Sequence, residues 1–366
     1  MKPTNRFADR STGLTLTLME TTNLVGFSRA QLEQLLSDMG ARPFHGRQLF
    51  RWLYQIRQYD LNRMTDLSKD IRGRLAERFH IRPLQPETVQ ESSDGTRKML
   101  FRVDGGHPVE SVLIPDPESD RRTLCVSSQA GCALGCRFCA TGTLGLARDL
   151  ETGEIVGQLM AARDLYGDRA FSNVVFMGMG EPLLNFDKVV ASIRIMTSSE
   201  GLGLAPRRVT VSTVGVAKNI HRLADSDLGV KLAISLNAPT DDKRADLMPA
   251  TRAWGLDKLV EAAQYYVSRT GRRVTFEYVL MEGVNDSDDD IRALARLTRR
   301  VACIVNLLAY NPVKGLPFRR PAEELCNRFA RKLVQAGTTV TVRTSRGTDI
   351  AAACGQLAGD AAKQEM

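Results

Sequence analysis

The spacing of apolar residues changes along this chain, and each change marks a different kind of element. Residues 1–20 carry no periodic pattern and read as a disordered leader. FSRAQLEQLLSDMG then begins a helix. Ser28 and Gln31 stand as a capping box, and Phe27 and Leu32 stand where a hydrophobic staple would. Leu49, Trp52, Leu53 and Ile56 recur at i, i+3, i+4 and i+7. Trp52 therefore reads as core rather than as a platform for stacking a base, while Arg47, Arg51 and Arg57 fall mostly off that face. Residues 21–87 are expected to form a small helical domain.

Between 88 and 117 the pattern turns to short strands: TVQES, KMLFRV and VESVLIP. Asp94-Gly95 and Asp104-Gly105 supply the turns, which predicts a β-hairpin extension. Over 118–345, apolar strand-like runs alternate with helical patterns. The runs are TLCVS (123–127), NVVFM (173–177), RVTVS (208–212), VKLAIS (230–235), VTFEYVL (274–280) and VNLLAY (305–310). Helical patterns lie near 151–166, 186–198, 216–225, 255–270, 287–300 and 320–336. Six β-then-α units predict a parallel sheet with helices outside it. The runs are apolar on both faces, as buried parallel strands are. A last strand, TTVTVRT, follows, and residues 346–366 form a tail. The predicted fold class is α/β, a partial (β/α)6 barrel of the TIM type with a small helical N-terminal domain.

Polar and Gly-rich segments follow these strands: a cysteine loop, GMGEPLLN, Ser212, the SLNAP led by Ser235, MEGVND, and Asn311. The carboxyl ends of barrel strands are where such enzymes build their sites.

Composition adds little to the fold and more to the partners. At 43% hydrophobic and 25% charged residues the chain is ordinary for a soluble protein. No apolar run approaches the roughly 20 residues of a membrane span. MKPTNRFADRSTG does not read as a signal peptide, so a cytoplasmic location is expected. The net charge is +8, and residues 42–82, with ten Lys/Arg against four Asp/Glu, supply six of it. Such a concentrated basic segment is the footprint of RNA or DNA binding, with a solvated Arg-rich surface as the plain alternative.

Seven cysteines, an odd count in a long chain, argue against a disulfide framework. Cys125, Cys132, Cys136 and Cys139 fall within fifteen residues, the last three spaced C-x-x-x-C-x-x-C with Phe138 before the third. None of the four histidines lies near them, which argues against a His-rich metal site. Thiolates select zinc or iron–sulfur clusters. A structural zinc needs four ligands, and the fourth would have to be Cys125, seven residues upstream on a strand. A four-iron cluster held by three cysteines instead leaves one iron open to a substrate. Cys303 and Cys326 carry no motif and read as buried thiols.

That cysteine spacing after the first barrel strand is similar to the signature of radical S-adenosylmethionine (SAM) enzymes. GMGEP at 178–182, otherwise a tight turn after a strand, resembles the Gly-Glu motif that binds the SAM amino group. LCVSSQAGCALGCRFCATG, VVFMGMGEPLLN, SLNAPTDDKRADLMP, VNLLAYNP and RTSRGTDIAAACGQLAGD resemble one branch, the RlmN-type RNA methyltransferases that act on carbon-2 of adenosine. The resemblance runs from residue 21 to 360, and the basic N-terminal domain is similar to that branch's RNA-binding extension.

The resemblance implies a [4Fe-4S] cluster on Cys132, Cys136 and Cys139. It implies SAM contacts from Gly180, Glu181, Ser212, Ser235, Leu236, Asn237 and Asn311, with Asn237 standing where many members have His; Asn still offers a donor and an acceptor. Two SAM molecules are consumed in each turnover. One methylates Cys354, and a second supplies a radical that takes a hydrogen from that methyl. The resulting methylene radical adds to the adenine ring. Glu110 matches the base that removes the proton of the target carbon, and Cys125 matches the residue that releases the product through a transient disulfide with Cys354. Ribosomal RNA of the large subunit and transfer RNA are the implied substrates, flavodoxin the implied kind of electron donor, and a monomer free of the membrane the implied form. Three alternatives stand beside this: a carbon-8 enzyme of the antibiotic-resistance type, a non-catalytic zinc- or cluster-binding RNA protein, and a radical SAM enzyme for a protein or small molecule.

Overall fold

The computed structural model describes residues 21–357. The expected leader and residues 358–366 of the tail lie outside the described residues. A small N-terminal unit is closed at its ends by two parallel strands, β1 (Thr22–Asn23) and β2 (Phe79–His80). Three helices lie between them: α1 (Arg29–Asp38), α2 (Phe44–Arg51) and α3 (Lys69–Arg78). The capping box is present as expected. Gln31 Oε1 accepts from Ser28 N at 2.8 Å, Ser28 Oγ accepts from Gln31 N at 3.3 Å, and Leu32 and Leu36 are buried.

The apolar face expected beyond Leu49 is only partly realised. α2 runs into a π-helical turn over Trp52–Ile56, whose wider winding rotates the later positions. Leu49 and Leu53 are buried, but Trp52 only half so, and Ile56 is 48% exposed. Tyr54 takes the inner position instead, its hydroxyl donating to Phe27 O at 2.9 Å and accepting from Gly26 N at 2.8 Å. Part of the basic charge is spent on docking this unit to the rest of the chain. Arg29 and Arg47 both meet Glu200, and Arg57 bridges Asp164 at 2.7 Å and Asp168 at 2.8 Å.

Ten of the remaining strands form one sheet. It starts with β3 (Pro86–Glu91), β4 (Arg97–Val103), β5 (His107–Pro115) and β6 (Arg122–Cys125). A small flap follows, β7 (Gln129–Gly131) against β8 (Leu146–Asp149), with the short α4 (Ala140–Thr143) between them. Then come α5 (Thr152–Tyr166), β9 (Asn173–Phe176), α6 (Phe186–Thr197), β10 (Val209–Thr213), α7 (Ala217–Asp225), β11 (Lys231–Ser235), α8 (Asp241–Leu247) and α9 (Leu256–Thr270). The chain continues through β12 (Val274–Leu280), α10 (Asp288–Thr298), β13 (Cys303–Ala309), α11 (Glu323–Gln335) and β14 (Val340–Arg343).

The six expected barrel strands, β6 and β9 to β13, pair in parallel, and β14 adds to β13 in the same sense. The hairpin continues the barrel sheet: β5 pairs antiparallel with β6, Val112 opposite Cys125, so β3 and β14 are the two ends of one open sheet. Alternate residues face alternate sides of each strand. On β12 this buries Phe276, Tyr278 and Leu280 in the main core and leaves Glu277 and Val279 to line a cavity at the strands' carboxyl ends. No helix among the described residues is long and apolar enough to cross a membrane.

Candidate active site

That cavity holds about 990 Å³ of empty space out to its open mouth. Cys132, Cys136 and Cys139 all line it, on the loop that leaves the first barrel strand. Glycines shape this loop. At Gly131, with φ +78°, an added Cβ would lie 2.0 Å from Gly145 O, so only glycine permits the close crossing of the flap. Burial pushes the Cys132 thiol up to about 11 and raises Cys136 and Cys139 as well. Thiols so desolvated stay protonated until a metal claims them.

Among the described residues, no three Cys, His, Asp or Glu groups converge as a single ion would require. A four-iron cluster puts each thiolate on a different iron, and Cys132, Cys136 and Cys139 all line the one cavity. A second observation fits a charged guest. Arg244 is 1% exposed, and its Nε and Nη1 have no hydrogen-bond partner among the described residues, although its Nη2 donates to Val214 O. Val214 itself lines the cavity.

Gly180 and Glu181 follow β9 and also line the cavity. Glu181 is fully desolvated, which lifts its carboxyl from 4.5 to about 7. Its oxygens accept from Leu183 N at 2.9 Å and Val214 N at 2.8 Å, which fixes the carboxylate without neutralising it. Ser212 and Ser235 lie on the same wall at the ends of β10 and β11. Asn237 lines it too, in the left-handed conformation (φ 56°) that Asn adopts readily, with Oδ1 accepting from Val279 N at 3.0 Å. Leu236 does not reach the cavity wall. Its side chain is in the main core, and its amide donates to Glu277 O at 2.9 Å, which orients the Ser235–Asn237 turn.

The tail enters this cavity. Cys354 lines it, having reached it from the far end of the chain. The cysteine loop holds the tail there: Ala140 N donates to Gly355 O at 2.7 Å and Thr141 Oγ1 to Leu357 O at 3.1 Å. Asn311 is also used on the tail, its Nδ2 donating to Cys354 O at 3.2 Å while Oδ1 accepts from Arg320 at 2.9 Å. The Cys354 side chain is open to the cavity's solvent, yet the protein packed around it still raises its thiol, and the nearby Arg343 guanidinium opposes this.

Cys125 lies off the cavity in a small apolar cluster with Val112, Met179, Ala352 and Leu357, directly against the tail. Burial pushes its thiol up to about 12, with Cys354 close enough to add to the shift. Both are free thiols. Glu110 is 2% exposed rather than solvent-facing, 3.2 Å from Lys98 Nζ, and it does not line the cavity. Its strand is tied to the Gly-Glu turn through Ser127, whose Oγ donates to Glu110 O at 2.6 Å and accepts from Met179 N at 2.8 Å.

The structure adds Glu277 to the cavity wall. Asn306 Nδ2 donates to it at 2.7 Å, and Thr341 Oγ1 donates to Asn306 Oδ1 at 2.9 Å, a chain across three strands. A carboxylate inside the apolar run VTFEYVL was the available signal.

Residues 22–81 match the model of the ribosomal RNA large subunit methyltransferase N-terminal domain, and 126–295 that of the radical SAM superfamily. The chain is 46% identical over 349 residues to the dual-specificity RNA methyltransferase RlmN of Pelobacter propionicus, covering 95% of this chain and 99% of the relative. Over 337 residues it is 48% identical to that of an Anaeromyxobacter species, covering 90% and 89%. A crystal structure of a radical SAM methyltransferase from Sphaerobacter thermophilus is 46% identical and superposes with a TM-score of 0.87 over 93% of this chain and all of that one.

Proposed function

Because the chain belongs to the RlmN family of radical SAM RNA methyltransferases, we propose that it methylates carbon-2 of a specific adenosine, in large-subunit ribosomal RNA and in transfer RNA, through a methylated Cys354. The family uses a [4Fe-4S] cluster and SAM. When bound, the cluster supplies the electron that opens the SAM sulfonium. Binding, proton transfer and thiol exchange fall to side chains.

Cys132, Cys136 and Cys139 are the ligands in this reading. Glu181, Ser212, Ser235 and Asn237 bind and orient SAM, and Asn311 serves SAM and tail together. The observation that carries the reading is convergence. One cavity gathers three cysteines, a buried Gly-Glu turn and a thiol from the end of the chain. An ordinary methyl transfer from SAM has no use for that last thiol. Carbon-2 of adenine is electron-poor and does not attack a sulfonium, so the methyl must first be parked on a nucleophile and then activated as a radical.

The ring radical formed on addition must lose one electron, which the oxidised cluster would take back when bound, and Glu110 takes the carbon-2 proton. The Cys125 thiolate then attacks the Cys354 sulfur, a disulfide forms, and the carbon–sulfur bond electrons stay on the released methylene, which takes up a proton to become the product methyl. An external thiol reductant returns both cysteines to the reduced state. Cys125 packs against the tail, as this step requires. The named relatives are RlmN enzymes, which favours carbon-2 over carbon-8. A flavodoxin-type donor, a monomeric state and a cytoplasmic location complete the proposal.

The test is a pair of variants under anaerobic turnover. Cys354→Ala yields no methylated RNA, whereas Cys125→Ala accumulates a covalent protein–RNA adduct visible on a denaturing gel. Free methylated RNA at normal yield from either variant contradicts the scheme.

A further inference from the structure

Among the described residues, the tail that carries Cys354 is held beside the cavity and also at a point well away from it. That point lies at the tip of the hairpin between β3 and β4. Ser92 Oγ donates to Asp349 Oδ1 at 2.6 Å, and Ser93 N donates to Asp349 Oδ2 at 3.1 Å. Gly347 N donates to Asp94 Oδ2 at 2.9 Å, and Thr96 N donates to Asp94 Oδ1 at 2.9 Å. Two carboxylates thus accept from three main-chain N–H groups and a hydroxyl, and hydrogen bonds to ionised groups are about twice as strong as neutral ones. These contacts hold both carboxyls below the ordinary aspartate range, Asp94 at about 2.

The fit is close. Gly347 has φ +65°, and a Cβ there would lie 2.8 Å from Thr96 Cγ2 and 2.9 Å from Ala352 Cβ. Gly347 O in turn accepts from Ala352 N at 2.8 Å, so the clasped turn passes its position on to Ala352 and Ala353, which lead into Cys354. Among the described residues, the tail's one further regular element is a 3-10 turn at Thr348–Ile350. The clasp therefore joins the two ends of the open sheet, β3–β4 on one side and the segment after β14 on the other.

We propose that Asp349, with Asp94 and Ser92, forms a positioning clasp that sets where the Cys354 sulfur sits in the cavity. This rests on the reading that Cys354 carries the methyl group. Hydrogen transfer from that methyl demands a near-attack separation of about 3–3.5 Å, and a shift of about 1 Å can cost two orders of magnitude. An Ala- and Gly-flanked tail cannot hold such a position by packing alone. The cavity-side bonds at Cys354 O, Gly355 O and Leu357 O hold the tail from one side, and the hairpin tip fixes the segment that leads into Cys354 from the other, so that the tail returns to one position after each round of adduct formation and release.

The experiment compares reconstituted holoenzymes bearing Asp349→Ala, Asp349→Asn, Gly347→Ala and, as control, Cys354→Ala. Iron content, 5′-deoxyadenosine formed and methylated RNA formed are measured on each. A clasp predicts iron content and SAM cleavage near the parent's in Asp349→Ala and Gly347→Ala, with methylated RNA per cleavage event falling roughly ten- to a hundredfold. Asp349→Asn, which keeps one acceptor for Ser92, recovers part of the loss. Unchanged coupling in Asp349→Ala overturns the clasp, and so does a parallel loss of iron and cleavage in both clasp variants, which would make the contacts merely structural. Methylated RNA from Cys354→Ala would instead overturn the function on which the clasp rests.

Discussion

Lys98 Nζ lies 3.2 Å from Glu110 Oε1, and both side chains are almost fully buried. The two are diagonal neighbours on β4 and β5, where Lys98 faces Val112 and Glu110 faces Leu100. Removing the cation takes one charged partner from a buried carboxylate. Lys98→Met is expected to lower unfolding free energy by about 3–5 kcal/mol, read from urea denaturation of the cluster-free protein. A loss below about 1 kcal/mol, the size of an exposed pair, would show that Glu110 is not held this way.

Glu110→Gln tests the base itself. Gln cannot take the carbon-2 proton, so the protein–RNA adduct should build up and persist. A variant that turns over at the parent rate would assign the proton to another group.

Release should depend on pH through Cys125. Its thiol is pushed up to about 12, so at neutral pH only a trace is thiolate, the attacking form. The first-order decay of a preformed adduct is expected to rise about tenfold per pH unit between pH 7 and 9. A flat profile would mean that release does not wait for this thiolate.

Glu181 gives the cluster-free protein a pH-dependent stability of a definite sign. Its carboxyl is near 4.5 when unfolded and about 7 when buried, so between those values the native state binds more protons than the unfolded one. Stability from this group is fully present below pH 4.5, declines as pH rises to about 7, and is flat above. Comparing chemical denaturation of the parent and Glu181→Gln from pH 4.5 to 8 isolates the effect: the parent should lose stability relative to the variant across that window. A constant difference would contradict the desolvated carboxylate.

Most of the barrel was legible because parallel strands buried on both faces leave long apolar runs, and the turns after them carry Gly, Ser and Asn in places a core would not use. The lining of the candidate site was legible through short local motifs at the cysteines and at Gly180–Glu181. What stayed hidden depends on geometry that local spacing does not encode. The π-helical turn at Trp52–Ile56 changes the period within one helix, so Ile56 faces out where a uniform 3.6 spacing puts it in. Leu236 sits between two cavity residues yet points to the core. The hairpin reads as an appendage until its pairing with β6 is seen. Asp349 and Ser92 lie 257 positions apart, and nothing near either residue announces the other.

The exposed basic residues Arg42, Arg51, Arg63 and Lys69 should carry RNA binding, whereas Arg29, Arg47 and Arg57 are engaged in docking the N-terminal unit. Replacing the exposed four with Ala is expected to flatten the dependence of log affinity on log salt by about 0.7–0.9 for each residue that touches a phosphate. SAM cleavage without RNA should be unaffected. An unchanged salt slope, measured by filter binding, would place the RNA elsewhere.

The route of the methyl group through Cys354 is read from its hydrogens. The reconstituted enzyme is given reductant, protein-free ribosomal RNA and SAM with a fully deuterated methyl group. Digested nucleosides are then identified by mass spectrometry against 2-methyl and 8-methyladenosine standards. The expected product is 2-methyladenosine whose methyl has lost one deuterium, the one taken while the methyl was on Cys354. A methyl that keeps all its deuterium, or one placed on carbon-8, would contradict it.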